Sequence, residues 1–101
     1  IRDLLLSIYE PGAFVVPHVD FTDEKLQHSL GVLFYFNDGF EGGEVYFVNF
    51  PFEYKPKKGT ALIFPCNSKE YKHGVKPITS GIRYTMPIEI NPDKSLEVVQ
   101  L

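Results

Sequence analysis

The sequence predicts an all-β domain, a double-stranded β-helix (jelly roll) built from two antiparallel sheets. Three observations carry that expectation. Short segments rich in aromatic and β-branched residues recur along the chain, with nine Phe and six Tyr in 101 residues. Eight Gly and eight Pro separate them. The segments number about eight, enough for two facing sheets and too many for one open sheet of this length. A chain of 101 residues makes a single domain spanning 1–101.

Reading for a period of two places strands at Leu4–Tyr9, Phe14–Asp20, Leu30–Phe36, Glu44–Val48, Phe52–Lys55, Thr60–Phe64, Tyr71–Val75 and Gly81–Ile90. A weaker one follows at Leu96–Gln100. Turn chemistry marks the joins: Glu10-Pro11-Gly12, Asn37-Asp38-Gly39, Gly42-Gly43, Lys58-Gly59 and Ser80-Gly81. Thr22–Ser29 is the only helical candidate. Thr22 could cap it, but Leu26 is its one apolar residue, so a solvated loop is the expectation.

Strand parity sorts the side chains. Val32, Phe34 and Phe36 leave one face of their strand, Leu33 and Tyr35 the other. Tyr84, Met86, Ile88 and Ile90 oppose Arg83, Thr85 and Pro87. The outer face is therefore apolar too, where a solvated antiparallel sheet is normally polar. The expectation is that upstream helices or a second subunit cover it. The chain starts at Ile1 inside an apolar run, which suggests that residues precede it.

Charge excludes some functions. The net charge of −3 and pI of about 5.5 give no bulk attraction to nucleic acid or to an anionic membrane. The longest uncharged apolar run, Gly31 to Phe36, is too short to cross a bilayer. One cysteine, Cys66, allows no internal disulfide and favours a reducing, cytoplasmic location.

His18 and Asp20 stand two apart on an expected strand, so both side chains would leave the same face. With His73 from another strand they would form two imidazoles and one carboxylate on one side of a metal. That facial set suits non-haem Fe(II) and leaves positions open for reagents. Taken alone, His-x-Asp is also what an ordinary polar strand face offers. Arg83 points inward by parity, which is costly unless an anion meets its guanidinium fork. An internal ion pair with Glu44 or Glu89 would serve equally. Tyr35, inward by the same parity, could add its hydroxyl or simply fill the core. Tyr9 ends the first strand nearby. His28 reads as a solvated loop histidine and Cys66 as a small buried or rim residue.

Together these residues sit in a recognisable order. Tyr9-Glu10-Pro11-Gly12, Phe14 and His18-Val19-Asp20 come first. Phe34-Tyr35-Phe36-Asn37, Phe40-Glu41-Gly42-Gly43-Glu44 and Pro56-Lys57-Lys58-Gly59-Thr60-Ala61-Leu62-Ile63-Phe64 follow. His73-Gly74-Val75, Pro77, Thr79, Gly81 and Arg83-Tyr84 close the series. From Leu4 to Ile90 the chain resembles the prolyl 4-hydroxylase branch of the 2-oxoglutarate and Fe(II)-dependent dioxygenases. The resemblance implies that His18, Asp20 and His73 bind iron. It implies that Arg83 holds the distal carboxylate of 2-oxoglutarate, that Tyr35 assists and that Tyr9 lies near the cosubstrate. The implied reaction hydroxylates an unactivated C–H bond, most plainly of a peptidyl proline, with O2 consumed and succinate and CO2 released. Ascorbate is the implied accessory reductant. The implied partner is a peptide or protein substrate.

Two departures from the family are visible. The helical segment that usually precedes the first strand is missing, in keeping with the uncovered face. Arginine at position 83 points away from the collagen-type enzymes, which commonly use lysine there. Competing readings are a lysyl hydroxylase, suggested by the segment His73 to Tyr84, and a non-catalytic metal-binding jelly roll such as a cupin. Nucleic-acid demethylases share the triad but carry a second arginine where this chain has Glu89.

Overall fold

The computed structural model describes residues 5–20 and 29–90. Among the described residues ten strands are present: β1 (Ser7–Tyr9), β2 (Val15–His18), β3 (Leu30–Tyr35), β4 (Glu41–Gly42), β5 (Val45–Phe47), β6 (Glu53–Tyr54), β7 (Thr60–Pro65), β8 (His73–Val75), β9 (Ile78–Ser80) and β10 (Arg83–Ile90). One sheet runs in the order β1-β10-β3-β7 and the other in the order β2-β8-β5-β6, every pairing antiparallel. This is the jelly roll expected. The weak strand at Leu96–Gln100 and the segment Thr22–Gln27, with His28, lie outside the described residues.

The inner faces of the two sheets meet over a core of Tyr35, Val45, Phe47, Phe64, Cys66 and Val75. Val45 is fully buried where β5 is clamped between β6 and β8, opposite Tyr54 and Val75. Phe47 meets Phe64 edge-on at 5.5 Å and Tyr35 meets Tyr54 at 5.6 Å, ring contacts that join the sheets. Each such fully buried side chain contributes roughly 1.5–3 kcal/mol.

Three expectations need correction. Strand β2 ends at His18, two residues early, and Asp20 lies off it in a bend. Pro17 has no N–H for the ladder, and the register slips between Val15 and His18 as a bulge. The pair β4–β9 was not expected at all: Gly42, read as a turn, pairs with Ile78. Two-residue strands leave no period-two signal, and Gly42 holds a φ of +81° that a side chain would strain. Lys55 closes this corner by donating its Nζ to the carbonyls of Phe40 and Gly42, 2.9 Å each. Finally, Tyr71 belongs not to a strand but to a 3-10 turn, Lys69–Tyr71, with the Ser68 hydroxyl accepting from the Glu70 amide.

The outer face of the β1-β10-β3-β7 sheet is apolar and open among the described residues. Ile8 is 56% exposed, Phe34 38% and Ile63 60%. Val32 shares their parity yet is buried.

Candidate metal and cosubstrate site

His18 and His73 are opposite one another in the β2–β8 ladder, and their rings lie 4.5 Å apart. His73 Nδ1 donates to the Tyr71 carbonyl and His18 Nδ1 to the Val16 carbonyl, 2.9 Å each. Both bonds engage Nδ1 and turn Nε2 towards a common point, the arrangement that fixes the tautomer of a ligating histidine. Asp20 Oδ1 lies 3.0 Å from His18 Nε2 and 3.5 Å from His73 Nε2. One ligand atom from each residue falls within 4.8 Å of the others. Burial pulls the pKa of His73 below its ordinary value of 6.5, more than the Asp20 carboxylate raises it. A neutral imidazole is the form that binds a metal.

Asp20 reaches this point without strand geometry. Its amide donates to the Cys66 carbonyl at 3.2 Å, and the Cys66 amide donates to Ser29 at 3.2 Å. The end of β7 thus holds the Asp20 bend against the mouth of β3. Gly31 lies against the same corner: a Cβ there would press on Cys66 Cβ at 3.0 Å and touch Asp20 Oδ2 in ordinary contact at 3.6 Å. Burial, then Asp20 and Glu89, push the Cys66 thiol up to about 11, so it remains protonated at neutral pH.

Arg83 begins β10 beside Tyr9, its partner in the β1–β10 register. It is 1% exposed, with its guanidinium 4.5 Å from the Tyr9 ring and 5.2 Å from the Tyr35 ring. Its Nε and Nη1 and the Tyr35 hydroxyl are buried with no hydrogen-bond partner. An ion pair with Glu44 or Glu89 therefore does not satisfy these donors. Buried cationic donors left this way cost several kcal/mol unless an anion meets them. Burial pushes the Tyr35 phenol up to about 12 against the pull of Arg83, which keeps it a proton donor. A carboxylate is the acceptor that would satisfy both.

Triad and arginine line one cleft of about 590 Å³ between the sheets. His18, Asp20, His73, Tyr9 and Arg83 all border it. Tyr35 does not border it, although its ring lies 5.2 Å from the Arg83 guanidinium. The residues fit an Fe(II) ion at one point of the cleft and a dicarboxylate anchored at another.

The sequence profile of the 2OG-Fe(II) oxygenase superfamily matches residues 4–88. The chain belongs to that superfamily. Membership implies Fe(II), 2-oxoglutarate and O2 as its reagents. Among curated relatives, a protein of Acanthamoeba polyphaga mimivirus bearing a prolyl 4-hydroxylase name is 36% identical over 101 aligned residues, 82% of this chain and 42% of the relative. The viral collagen prolyl hydroxylase of Paramecium bursaria Chlorella virus-1, solved with 2-oxoglutarate, is 27% identical with a TM-score of 0.68, over 86% of this chain and 59% of that one. A Pseudomonas putida prolyl-4-hydroxylase shares the fold at 23% identity and a TM-score of 0.67, over 81% of this chain and 46% of that one. The chain thus spans about two fifths to three fifths of the length of these relatives.

Sequence reasoning missed three contributors to this oxygenase site. Asn37, read as a turn residue, donates to the Ile82 carbonyl at 2.7 Å and accepts from the Tyr84 amide at 2.9 Å, bracketing Arg83. Its place in the motif Phe34-Tyr35-Phe36-Asn37 was the only signal. Thr85 lines the cleft, its hydroxyl bonded to the Phe34 carbonyl at 2.7 Å. Glu89 lines the same cleft, and inward parity with Arg83 could have placed it there.

Proposed function

We propose that this domain is a prolyl 4-hydroxylase-like dioxygenase, acting on a peptidyl proline, with His18, Asp20 and His73 as iron ligands and Arg83 and Tyr35 as the cosubstrate clamp. The observation that supports it most is Arg83, a buried cation with unpaired donors in the cleft that the triad borders. When bound, iron and 2-oxoglutarate supply an oxidant that hydroxylates an unactivated C–H bond and release succinate and CO2. The chain's part is placement. The two Nε2 atoms and the Asp20 carboxylate hold the ion, and the carbonyls of Val16 and Tyr71 keep the imidazoles in register. Arg83 binds the distal carboxylate, Tyr35 donates to it, and Tyr9 closes that side. Phe64 and Val75 keep the inner wall apolar and dry. Ascorbate, by this reading, keeps the iron reduced between turnovers. Proline is favoured over lysine because the named relatives are prolyl hydroxylases.

Anaerobic titration with Fe(II) and then 2-oxoglutarate tests the assembly through the visible metal-to-ligand charge-transfer band. A band in the wild type that Asp20→Ala or His18→Ala abolishes, together with succinate formation coupled to a proline peptide, is expected. Coupled turnover at wild-type rate in either variant would refute the ligand assignment.

A further inference from the structure

We propose that Asn49 is a positioning residue for His73: it holds the turn whose carbonyl keeps the His73 imidazole oriented with Nε2 towards the metal point. The inference rests on the ligand reading above and extends it to a residue that supports one ligand. The two histidines are oriented by unlike means. His18 Nδ1 donates to the Val16 carbonyl, which lies within β2 itself. His73 Nδ1 donates to the Tyr71 carbonyl, which lies outside β8, in the 3-10 turn Lys69–Tyr71. A 3-10 segment of three residues is weakly held by its own bonds, so its place depends on what grips it from outside.

Three consecutive residues after β5 supply that grip. The Val48 amide donates to the Lys72 carbonyl at 2.9 Å. Asn49 Nδ2 donates to the Lys69 carbonyl at 2.8 Å and reaches that of Glu70 at 3.5 Å. The Phe50 ring meets the Tyr71 ring edge-on at 5.5 Å and stacks on Phe47 at 4.8 Å. Phe47 is the register partner of His73 across β5–β8, their rings 5.9 Å apart. The bond from position 48 needs only a backbone N–H, and the Phe50 contact has no donor to direct it. Asn49 is the residue whose side chain sets direction. Both its acceptors are carbonyls, so the NH2 end of the amide faces the turn. They belong to the two residues before Tyr71, and peptide planes are rigid, so fixing them restricts the tilt of the Tyr71 carbonyl. That carbonyl keeps the proton on Nδ1 and leaves the Nε2 lone pair of His73 for a metal. Asn49 itself is exposed, so its effect comes through these bonds and not through packing.

Asn49→Ala removes the donors. Asn49→Asp also removes them, keeps the shape and adds a negative charge that by itself would favour a cation. Two measurements on the full chain test each variant. Anaerobic Fe(II) titration at saturating 2-oxoglutarate, followed by the charge-transfer band, gives metal affinity. Proton NMR of the Zn(II)-loaded chain gives the rate at which the His73 Nδ1–H exchanges with water, and with it how firmly the Tyr71 carbonyl holds that proton. Both variants should weaken Fe(II) binding about ten-fold. Both should speed exchange of the His73 Nδ1–H several-fold while the backbone amides of β2 and β8 keep their rates. Unchanged Fe(II) affinity in the two variants overturns the inference, as does unchanged Nδ1–H exchange. Amides of β8 that loosen in step with the imidazole overturn it too, because Asn49 would then be supporting the strand and not the ring. Fe(II) binding at wild-type strength in His73→Ala refutes the ligand assignment on which the inference rests.

Discussion

Arg83 and Tyr35 lie in the centre of the molecule with polar atoms that no protein group satisfies. Such a pair is unfavourable unless a ligand is meant to meet it. The residue-scale prediction follows from counting donors. Arg83→Ala removes the fork and should raise the 2-oxoglutarate concentration needed for the charge-transfer band about 100-fold or more. Arg83→Lys keeps the charge but loses the bidentate geometry, and about ten-fold is expected. Tyr35→Phe removes one donor and should cost only a few-fold. Unchanged 2-oxoglutarate binding in Arg83→Ala would show that the anion sits elsewhere. Arginine was legible as an inward residue from parity alone, because Tyr84, Met86, Ile88 and Ile90 take the opposite face of the strand. That its Nε and Nη1 go unanswered was not legible, since Glu44 and Glu89 both stood as internal partners in the sequence reading.

At the scale of elements, β8 is where the site depends on the fold. His73 must face His18 across the β2–β8 ladder, and the next residue, Gly74, lets the strands close. A Cβ on Gly74 would meet the Tyr46 hydroxyl at 2.6 Å and the Val15 carbonyl at 2.8 Å. The tyrosine could swing away, but the carbonyl belongs to β2 and cannot move without opening the ladder. Gly74→Ala should therefore lower stability by about 2 kcal/mol or more and weaken Fe(II) binding together with it, read by chemical denaturation and metal titration. Tyr46→Phe in the same background relieves one contact only, so rescue should be partial. Full stability in Gly74→Ala would mean that β2 and β8 are less tightly joined than the ladder requires. The short element β4, paired to β9, shows the limit of pattern reading. Its pairing depends on Gly42 lying against the Pro77 carbonyl, a contact between residues 35 apart.

The whole molecule is asymmetric: one sheet face is occupied by the site, and the opposite face of the β1-β10-β3-β7 sheet shows apolar side chains outward. Scattered exposed apolar residues are common, but here Ile8, Phe34 and Ile63 share one face. Ile8→Lys combined with Ile63→Lys should raise the concentration at which the chain remains monodisperse, with the melting temperature changed by only a few degrees. Light scattering across a concentration series checks this. A large fall in melting temperature would show instead that the two side chains are structural. The parity of Phe34 against Tyr35 had already indicated this face, since both sides of that strand are apolar.

What the sequence by itself determined is whatever depends on local periodicity and on side-chain chemistry in order: an all-β jelly roll, the inward Arg83 and Tyr35, the candidate ligands His18, Asp20 and His73, and an outer sheet face that is apolar. Those properties are set by alternation every two residues and by residue type, and both can be read without knowing what is near what. Only the tertiary structure decided how Asp20 reaches the histidines. The strand that was to deliver it stops at His18, because Pro17 and a bulge break the ladder. The aspartate is held instead through its amide by Cys66, across a distance of 46 residues in the chain. The same holds for Asn37 around Arg83, which acts through partners far away in sequence, and the free energy of such contacts exists only once the sheets have closed.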